Sequence, residues 1–139
     1  MSKDYPWGKG TPAWVVDATL NDSDKSWTVP AGKVRVYNYI FAYLQTTATV
    51  GNRVMRVSIT DGTTEIFRFS ADNLAASLTG RFCWFVGGID DPAASVDSHC
   101  AFPELCLLPG YVIRVYDSAA IDAAADDLTV ALHYVEYDA

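Results

Sequence analysis

The chain has 139 residues, of which half are apolar and 19% are charged, a composition that excludes a disordered protein and predicts one domain with a hydrophobic core. Its net charge of −7 is the reverse of what nucleic-acid-binding domains usually carry, so nucleic acid is not an expected partner. No apolar run is long enough to span a membrane and the first ten residues lack the apolar stretch of a secretion signal, so we expect a soluble, non-exported protein without membrane contacts.

Segments rich in Val, Ile, Thr, Tyr and Phe alternate apolar and polar residues with a period of two, and helical periodicity is nearly absent. The pattern predicts an all-β fold, an antiparallel β-sandwich of jelly-roll or Greek-key type with about eight strands. The predicted strands are Ala13 to Thr19, Lys33 to Thr46, Arg53 to Thr60, Thr63 to Ser70, Arg81 to Val86, Glu104 to Leu108, Tyr111 to Asp117 and Leu128 to Tyr137.

The first 26 residues are predicted to form an extended N-terminal arm, followed by a single sandwich domain at 27–139. The arm holds Tyr5, Trp7 and Trp14 among Gly, Pro and polar residues, and aromatic side chains of this kind can anchor an extended segment on a neighbouring molecule. The alternative is that the arm folds back on its own sandwich. Trp27, at the start of the domain, is expected to be a core residue.

Two connections can be predicted from their residues. The pair Asp61-Gly62 supplies the positive backbone φ angles of a two-residue type I′ turn, so the strands that flank it are expected to form a hairpin. In the segment 70–80, Leu74 and Leu78 lie four residues apart, as in one turn of helix. The segment is too short to be a stable helix by itself, and we expect an irregular connection.

Two segments of the chain are similar to each other. Residues 29–38, VPAGKVRVYN, and residues 108–117, LPGYVIRVYD, each combine a Pro/Gly turn with an Arg-Val-Tyr strand. A unit that occurs twice favours the halves of a Greek-key or jelly-roll sandwich over a solenoid, which needs at least about three repeats to bury its core.

Four arginines each lie between two apolar residues: Arg35, Arg56, Arg68 and Arg114. Successive side chains of a strand point to opposite faces, so if the flanking residues enter the core, all four arginines point outward. We therefore expect several outer surfaces of the sandwich to carry arginine.

The strand that starts at Lys33 is apolar on both faces. On one face lie Val34, Val36, Ile40, Ala42 and Leu44, and on the other lie Arg35, Tyr37, Tyr39, Phe41 and Tyr43. The first face is expected in the core. We predict that the second is an interface, because Tyr and Arg are enriched and Lys and Glu are depleted at interface centres. The alternative is that the N-terminal segment or another loop of the same chain covers it.

Polar residues that could carry catalysis or bind zinc do not form a recognised pattern. Ser98 and His99 are adjacent, but no motif brings a nucleophile, a base and an orienting group together. His99, Cys100 and Cys106 lack the spacings of structural zinc sites. We predict no enzymatic activity, no cofactor and no metal, and we expect these two cysteines and Cys83 to be buried thiols without disulfides.

The loop at 117–127 carries four aspartates, whose oxygens suit calcium, although their spacing matches no EF-hand. A solvated, Asp-rich turn is the favoured alternative. His133 alternates with Leu132 and Tyr134 in the last predicted strand and is expected to have a packing role.

The turns and strands of the chain from Trp27 onward carry a set of motifs. They are VPAG at 29–32, ATVGNR at 48–53, the Asp61-Gly62 hairpin, LPGY at 108–111, RVYD at 114–117 and the segment 119–127. This set resembles small virion structural proteins of tailed bacteriophages. The motifs belong to turns and strands, so the resemblance implies no catalytic residues.

The resemblance implies a jelly-roll or sandwich module that coats or cements the capsid, and similar modules occur in tails and fibres. We therefore expect a non-enzymatic capsid cement or decoration protein on the capsid surface. Its expected partners are the major capsid protein and further copies of itself, as a dimer or a trimer. The alternatives are a tail or fibre adsorption module that binds host carbohydrate, and a structural tail or neck component.

Overall fold

The structure is a computed structural model that describes residues 8–19, 24–89 and 96–139. These residues form ten β-strands: β1 Thr11–Asp17, β2 Lys25–Thr28, β3 Lys33–Gln45, β4 Arg53–Thr60, β5 Glu65–Leu74, β6 Thr79–Phe85, β7 Asp97–Ala101, β8 Leu105–Leu107, β9 Val112–Asp117 and β10 Asp127–Asp138. The three ranges contain no helix, and so none that is long and apolar enough to cross a membrane.

The strands pack as two sheets. The six-stranded sheet has the order β1-β10-β3-β6-β7, with β8 also paired to β3, and the four-stranded sheet has the order β2-β9-β4-β5. β6 and β7 run parallel, and the remaining pairs are antiparallel. The predicted all-β sandwich is confirmed.

Four antiparallel pairs are nested inside one another. The innermost pair is β4 with β5, followed outward by β3 with β6, β2 with β9, and β1 with β10. Successive pairs lie alternately in the two sheets, so the chain crosses the sandwich between β1 and β2, between β2 and β3, and between β3 and β4. β7 and β8 are additional strands between β6 and β9.

Two short strands lie where none was predicted. β2 has the sequence KSWT and β7 has the sequence DSHCA, and neither contains the run of branched and aromatic residues that indicates a strand. Their extended form depends on pairing with β9 and β6, which is tertiary structure that local sequence does not encode. The expected irregular segment 70–80 is also shorter than predicted, because β5 continues to Leu74.

The hairpin of β4 and β5 is confirmed, but the prediction of a two-residue loop is wrong. The loop has four residues, and the backbone N–H of Asp61 donates to the carbonyl of Thr64 at 3.1 Å. Asp61 Oδ1 accepts from the backbone N–H groups of Thr63 at 2.9 Å and Thr64 at 2.8 Å. These bonds satisfy the extra backbone donors, so the longer loop is stable.

The core lies between the two sheets. Trp27 packs against it from β2, as predicted. The largest apolar side chains with almost no exposure are Trp84, Tyr37, Phe82, Ile40, Leu44, Met55, Ile59, Leu74, Ile113, Leu128 and Leu132.

The two similar segments lead into strands of opposite sheets and meet at their turns. Val29 N–H donates to the carbonyl of Tyr111 at 2.8 Å, and Gly110 N–H donates to the carbonyl of Val29 at 2.9 Å. Gly32 and Gly110 have φ angles of +72° and +85°, which explains a glycine in each turn. The internal similarity therefore corresponds to two equivalent turns, one before β3 in the six-stranded sheet and one before β9 in the four-stranded sheet.

The segment predicted as an arm contributes strands to both sheets. β1 pairs along its whole length with β10, and β2 spans the predicted boundary between residues 26 and 27. In the described part of this segment, the chain thus follows the alternative in which it folds back on its own sandwich. Tyr5 and Trp7 lie outside the described residues.

Candidate interaction surface

A β-bulge in β3 determines which of its side chains face outward. Tyr37 pairs with Tyr134 and Tyr39 pairs with His133, so Asn38 is an extra residue on β3. The bulge reverses the alternation of β3 at this point. Odd-numbered residues face the other sheet before Asn38 and face outward after it, and even-numbered residues do the opposite.

Because of this bulge, two of the residues that were predicted on the interface face the other sheet instead. Tyr37 has 0% exposure and belongs to the core. Arg35 also faces the inner side, where its guanidinium lies 4.3 Å from the ring centroid of Tyr134 and its Nε donates to Glu136 at 2.8 Å. The prediction that Arg35 and Tyr37 lie on the outer face is therefore wrong.

The other predicted residues of β3 face outward and join aromatic residues of neighbouring strands. In register across five strands lie Trp14 of β1, His133 of β10, Tyr39 of β3, Phe85 of β6 and Ala101 of β7. We call this row and the two rows beside it the aromatic face. The second row is Val16, Ala131, Phe41, Cys83 and His99, and the third is Thr129, Tyr43, Arg81 and Asp97.

The first row is a contiguous cluster of rings. The Trp14 ring centroid lies 4.8 Å from that of His133 and 5.6 Å from that of Tyr39, and the centroids of Tyr39 and Phe85 are 6.5 Å apart. These separations are those of favourable aromatic pairs. Trp14 nevertheless remains 60% exposed, so the cluster presents a large apolar side chain to solvent.

Hydrogen bonds fix the polar atoms of this cluster. His133 Nδ1 lies 2.6 Å from Oδ1 of Asn38, the bulge residue, so the bulge and the histidine position each other. The Tyr39 hydroxyl lies 3.6 Å from Cys83 Sγ. Burial, together with this neighbouring thiol, raises the pKa of Tyr39 to about 12, so the phenol keeps its proton even at alkaline pH at which an exposed tyrosine ionises.

Charge is confined to one end of the aromatic face. Among the side chains of its three rows, the charged ones are Arg81 and Asp97, whose atoms Nη1 and Oδ1 are 3.5 Å apart. The Arg81 guanidinium also lies 5.6 Å from the Tyr43 ring centroid. The face therefore has no net charge in a chain whose net charge is −7.

The loop predicted as a possible calcium site contains a buried ion pair. Arg53 and Asp126 are both 0% exposed, with Nε to Oδ2 at 2.7 Å and Nη2 to Oδ1 at 3.1 Å. Arg53 Nη1 also donates to the carbonyls of Thr49 and Gly51, each at 2.8 Å, and Asp126 Oδ1 accepts from the Thr47 N–H at 2.7 Å. A guanidinium thus neutralises the carboxylate that calcium would have needed.

Two other aspartates of this loop, Asp117 and Asp122, also have protein partners. Asp122 Oδ2 accepts from the hydroxyls of Thr47 at 2.6 Å and Thr49 at 2.8 Å, and these bonds lower its pKa. Asp117 Oδ1 accepts from the N–H of Val54 at 2.8 Å. The expectation of a solvated turn is therefore wrong for Asp117 and Asp126, which are buried because they join the loop to β4.

The residues considered for catalysis or zinc are separated by the pleat of β7. Ser98 is buried, with its Oγ 3.7 Å from Cys100 Sγ, whereas His99 points to the opposite side of the sheet near Phe85. No cluster of three metal-binding side chains occurs within residues 8–19, 24–89 and 96–139. Cys106 is exposed, so the expectation of a buried thiol is wrong at this position.

Two groups of residues described above were not predicted from the sequence. Phe85 and His133 belong to the aromatic face through strand register, which links residues far apart in the chain. Arg53 and Asp126 are 73 positions apart. An arginine at the start of an apolar strand was the available signal for this pair, because a buried guanidinium needs a carboxylate.

No protein-family model matches the chain, and no curated protein matches it. Among solved structures, it is similar to a chain from "Structure of infectious bursal disease virus Gx strain", with 10% sequence identity and a TM-score of 0.29. The match covers 94% of this chain and 43% of the viral chain, so this chain spans less than half of the length of the viral chain. A likeness this distant carries no argument about function. The resemblance to phage virion proteins rests on the sequence motifs and stays a prediction.

Proposed function

We propose that this protein is a non-enzymatic virion structural protein that acts as a capsid cement or decoration protein. In this proposal it binds the major capsid protein on the capsid surface through the aromatic face. The observation that carries the proposal is the uncharged row of Trp14, His133, Tyr39 and Phe85 on the outside of the six-stranded sheet. Large apolar patches on an otherwise polar surface mark interaction sites.

The topology supports the structural part of the proposal. Four nested antiparallel pairs, alternating between two sheets, describe a long hairpin rolled into a sandwich. We propose that this is a jelly roll. Jelly rolls occur in viral capsid proteins and also in lectins and cupins, so the topology is compatible with a virion role.

The composition of the aromatic face supports association with protein. Interface centres are enriched in Trp, Tyr and Phe and depleted of charge. Tyr39, Phe41 and Tyr43 lie on the central strand β3, flanked by β10 and β6, so the rigid sheet holds them in place before binding. A preorganised surface loses little conformational entropy when a partner covers it. Binding to the assembled shell would stabilise that state by mass action.

The experiment is reconstitution of capsid particles that lack this protein. Purified wild-type protein and the variant Phe41→Asp are added, and the bound copies per major capsid protein are measured by gel densitometry. We expect Phe41→Asp to bind at least about tenfold more weakly, because it places a charge at the centre of the apolar surface. The matched control is Asn73→Asp, at an exposed position of the other sheet, which should bind like the wild type.

Circular dichroism and thermal unfolding establish that both variants are folded. Equal binding by Phe41→Asp and the wild type would contradict the role of this face. Failure of the wild type to bind would contradict the cement function itself.

The alternative of carbohydrate binding has one favourable observation. Trp14 is 60% exposed, and its ring lies 4.8 Å from that of His133, which is 2.6 Å from Asn38 Oδ1 through its Nδ1. An exposed aromatic ring next to polar groups is a surface on which a sugar ring can stack. A glycan array distinguishes the two functions, since specific glycan binding that is lost in Trp14→Ala would favour an adsorption module.

A further inference from the structure

The outer face of the four-stranded sheet carries a cluster of arginines. Arg114 of β9 and Arg68 of β5 are both in register with Ser58 of β4, the strand between them. Arg56 lies on β4 two residues before Ser58 and belongs to the next row. We call Arg56, Arg68 and Arg114 the arginine face. Neighbouring strands are about 4.8 Å apart, which places Arg68 and Arg114 on backbones about 10 Å apart.

Each of the three arginines is held by a neighbouring group. Arg114 stacks on Tyr116, with its guanidinium 4.0 Å from the ring centroid, and forms an ion pair with Asp24. Arg68 Nη2 lies 2.6 Å from Glu65 Oε1. These contacts orient the guanidinium groups over the sheet, while Arg68 and Arg114 remain 49% and 41% exposed.

Arg56 lies on β4, the strand between those of the other two arginines, and has a different environment. Its Nε donates to the Ser70 hydroxyl at 3.2 Å. Within the described residues, no carboxylate lies at ion-pair distance from its guanidinium. Among the described residues, Arg56 is therefore the arginine of this face that has no carboxylate partner.

The concentration of positive charge here contrasts with the rest of the molecule. Three of the ten Lys and Arg residues occupy this face of a chain whose net charge is −7. Asp24 and Glu65 offset the charges of Arg114 and Arg68, so the three arginines and these two carboxylates together leave one positive charge, that of Arg56. An anionic partner would supply the carboxylate that Arg56 lacks, and guanidinium groups bind carboxylates in bidentate geometry.

We propose that the arginine face binds a carboxylate-rich segment of a partner protein. A short acidic segment contacts the arginine face alone, whereas a long polyanion such as DNA would also extend over the rest of a chain whose net charge is −7. The aromatic face lies on the other sheet, so this second surface is independent of the proposed function. If both are correct, the protein connects two partners across the sandwich.

The test is titration of the purified protein with a short oligoglutamate peptide at low salt, followed by NMR or calorimetry. We expect saturable binding that weakens as salt is added. Arg56→Gln should weaken binding about tenfold, since it removes charge-assisted hydrogen bonds to the peptide. The control is Arg81→Gln, which removes an exposed arginine from the other sheet, and it should bind like the wild type.

Three results would overturn the proposal: no binding by the wild type, equal weakening in Arg56→Gln and Arg81→Gln, or equally tight binding of a single-stranded DNA long enough to extend beyond the arginine face. Thermal unfolding of both variants establishes that they are folded. Trp14→Ala, on the aromatic face, should bind the peptide normally. This variant separates failure of the arginine face from failure of the capsid-binding face.

Discussion

Removing one partner of the buried Arg53–Asp126 pair should strongly destabilise the fold. Asp126→Ala leaves the guanidinium of Arg53 at a site with 0% exposure, without the carboxylate that accepts two of its hydrogen bonds. It also removes the acceptor of the Thr47 N–H. Breaking a buried ion pair in this way typically costs about 3–5 kcal/mol, because the remaining charge stays buried and uncompensated.

For a domain of this size, each kcal/mol changes the melting temperature by about 4 °C, so we expect Asp126→Ala to melt about 12–20 °C below the wild type. Urea unfolding monitored by Trp fluorescence gives the free energy directly. The double variant Arg53→Met/Asp126→Leu should be more stable than Asp126→Ala, since apolar residues of similar volume can replace a buried pair.

The control is Asp138→Ala, which removes the partner of Lys33 in an exposed pair with Nζ to Oδ1 at 2.6 Å. Exposed ion pairs contribute little, so this change should have a much smaller effect. If Asp126→Ala destabilised the protein no more than Asp138→Ala, the reasoning about the buried pair would be refuted.

Three further predictions concern other parts of the fold. Gly80→Ala should cost about 1–3 kcal/mol in urea unfolding, because the new Cβ would lie 2.7 Å from Phe82 Cε2 in the core, and no loss would contradict this packing. Hydrogen bonds from the N–H groups of Thr64 and Thr63 lower the pKa of Asp61. The ionised Asp61 therefore stabilises the fold at a pH above the usual pKa of aspartate, and this contribution is lost as the pH falls through the lowered pKa. The difference in melting temperature between the wild type and Asp61→Asn should therefore vanish in acid. Trp14→Ala should cost about 1 kcal/mol or less but reduce binding to capsids, and unchanged binding would argue against a contact at Trp14.

The sandwich could be predicted from the sequence because most strands alternate apolar and polar residues. The same signal failed at β3, which is apolar on both faces, so alternation alone could not show where the phase changes. The bulge at Asn38 moved Arg35 and Tyr37 inward and left Tyr39, Phe41 and Tyr43 outside. Three of the five residues predicted on this face of β3 therefore lie on the aromatic face.

The polar network at 117–127 shows a second limit of sequence reasoning. Four aspartates in one loop suggest solvation or a cation, because their spacing says nothing about distant partners. The partner of Asp126 is Arg53, at the start of β4, and the pairing exists because β4 and β9 are adjacent in the four-stranded sheet. The order of strands in the sheet brings the start of β4 close to the loop at 117–127, and this order could not be predicted from the alternation of apolar and polar residues.

The most direct test of the central claim is the copy number of this protein in purified virus particles, relative to the major capsid protein, by quantitative mass spectrometry. A cement protein that binds the shell through its aromatic face should be present in numbers comparable to the major capsid protein. Absence from the particles would contradict a virion role, and a number typical of a tail or fibre component would contradict the cement function.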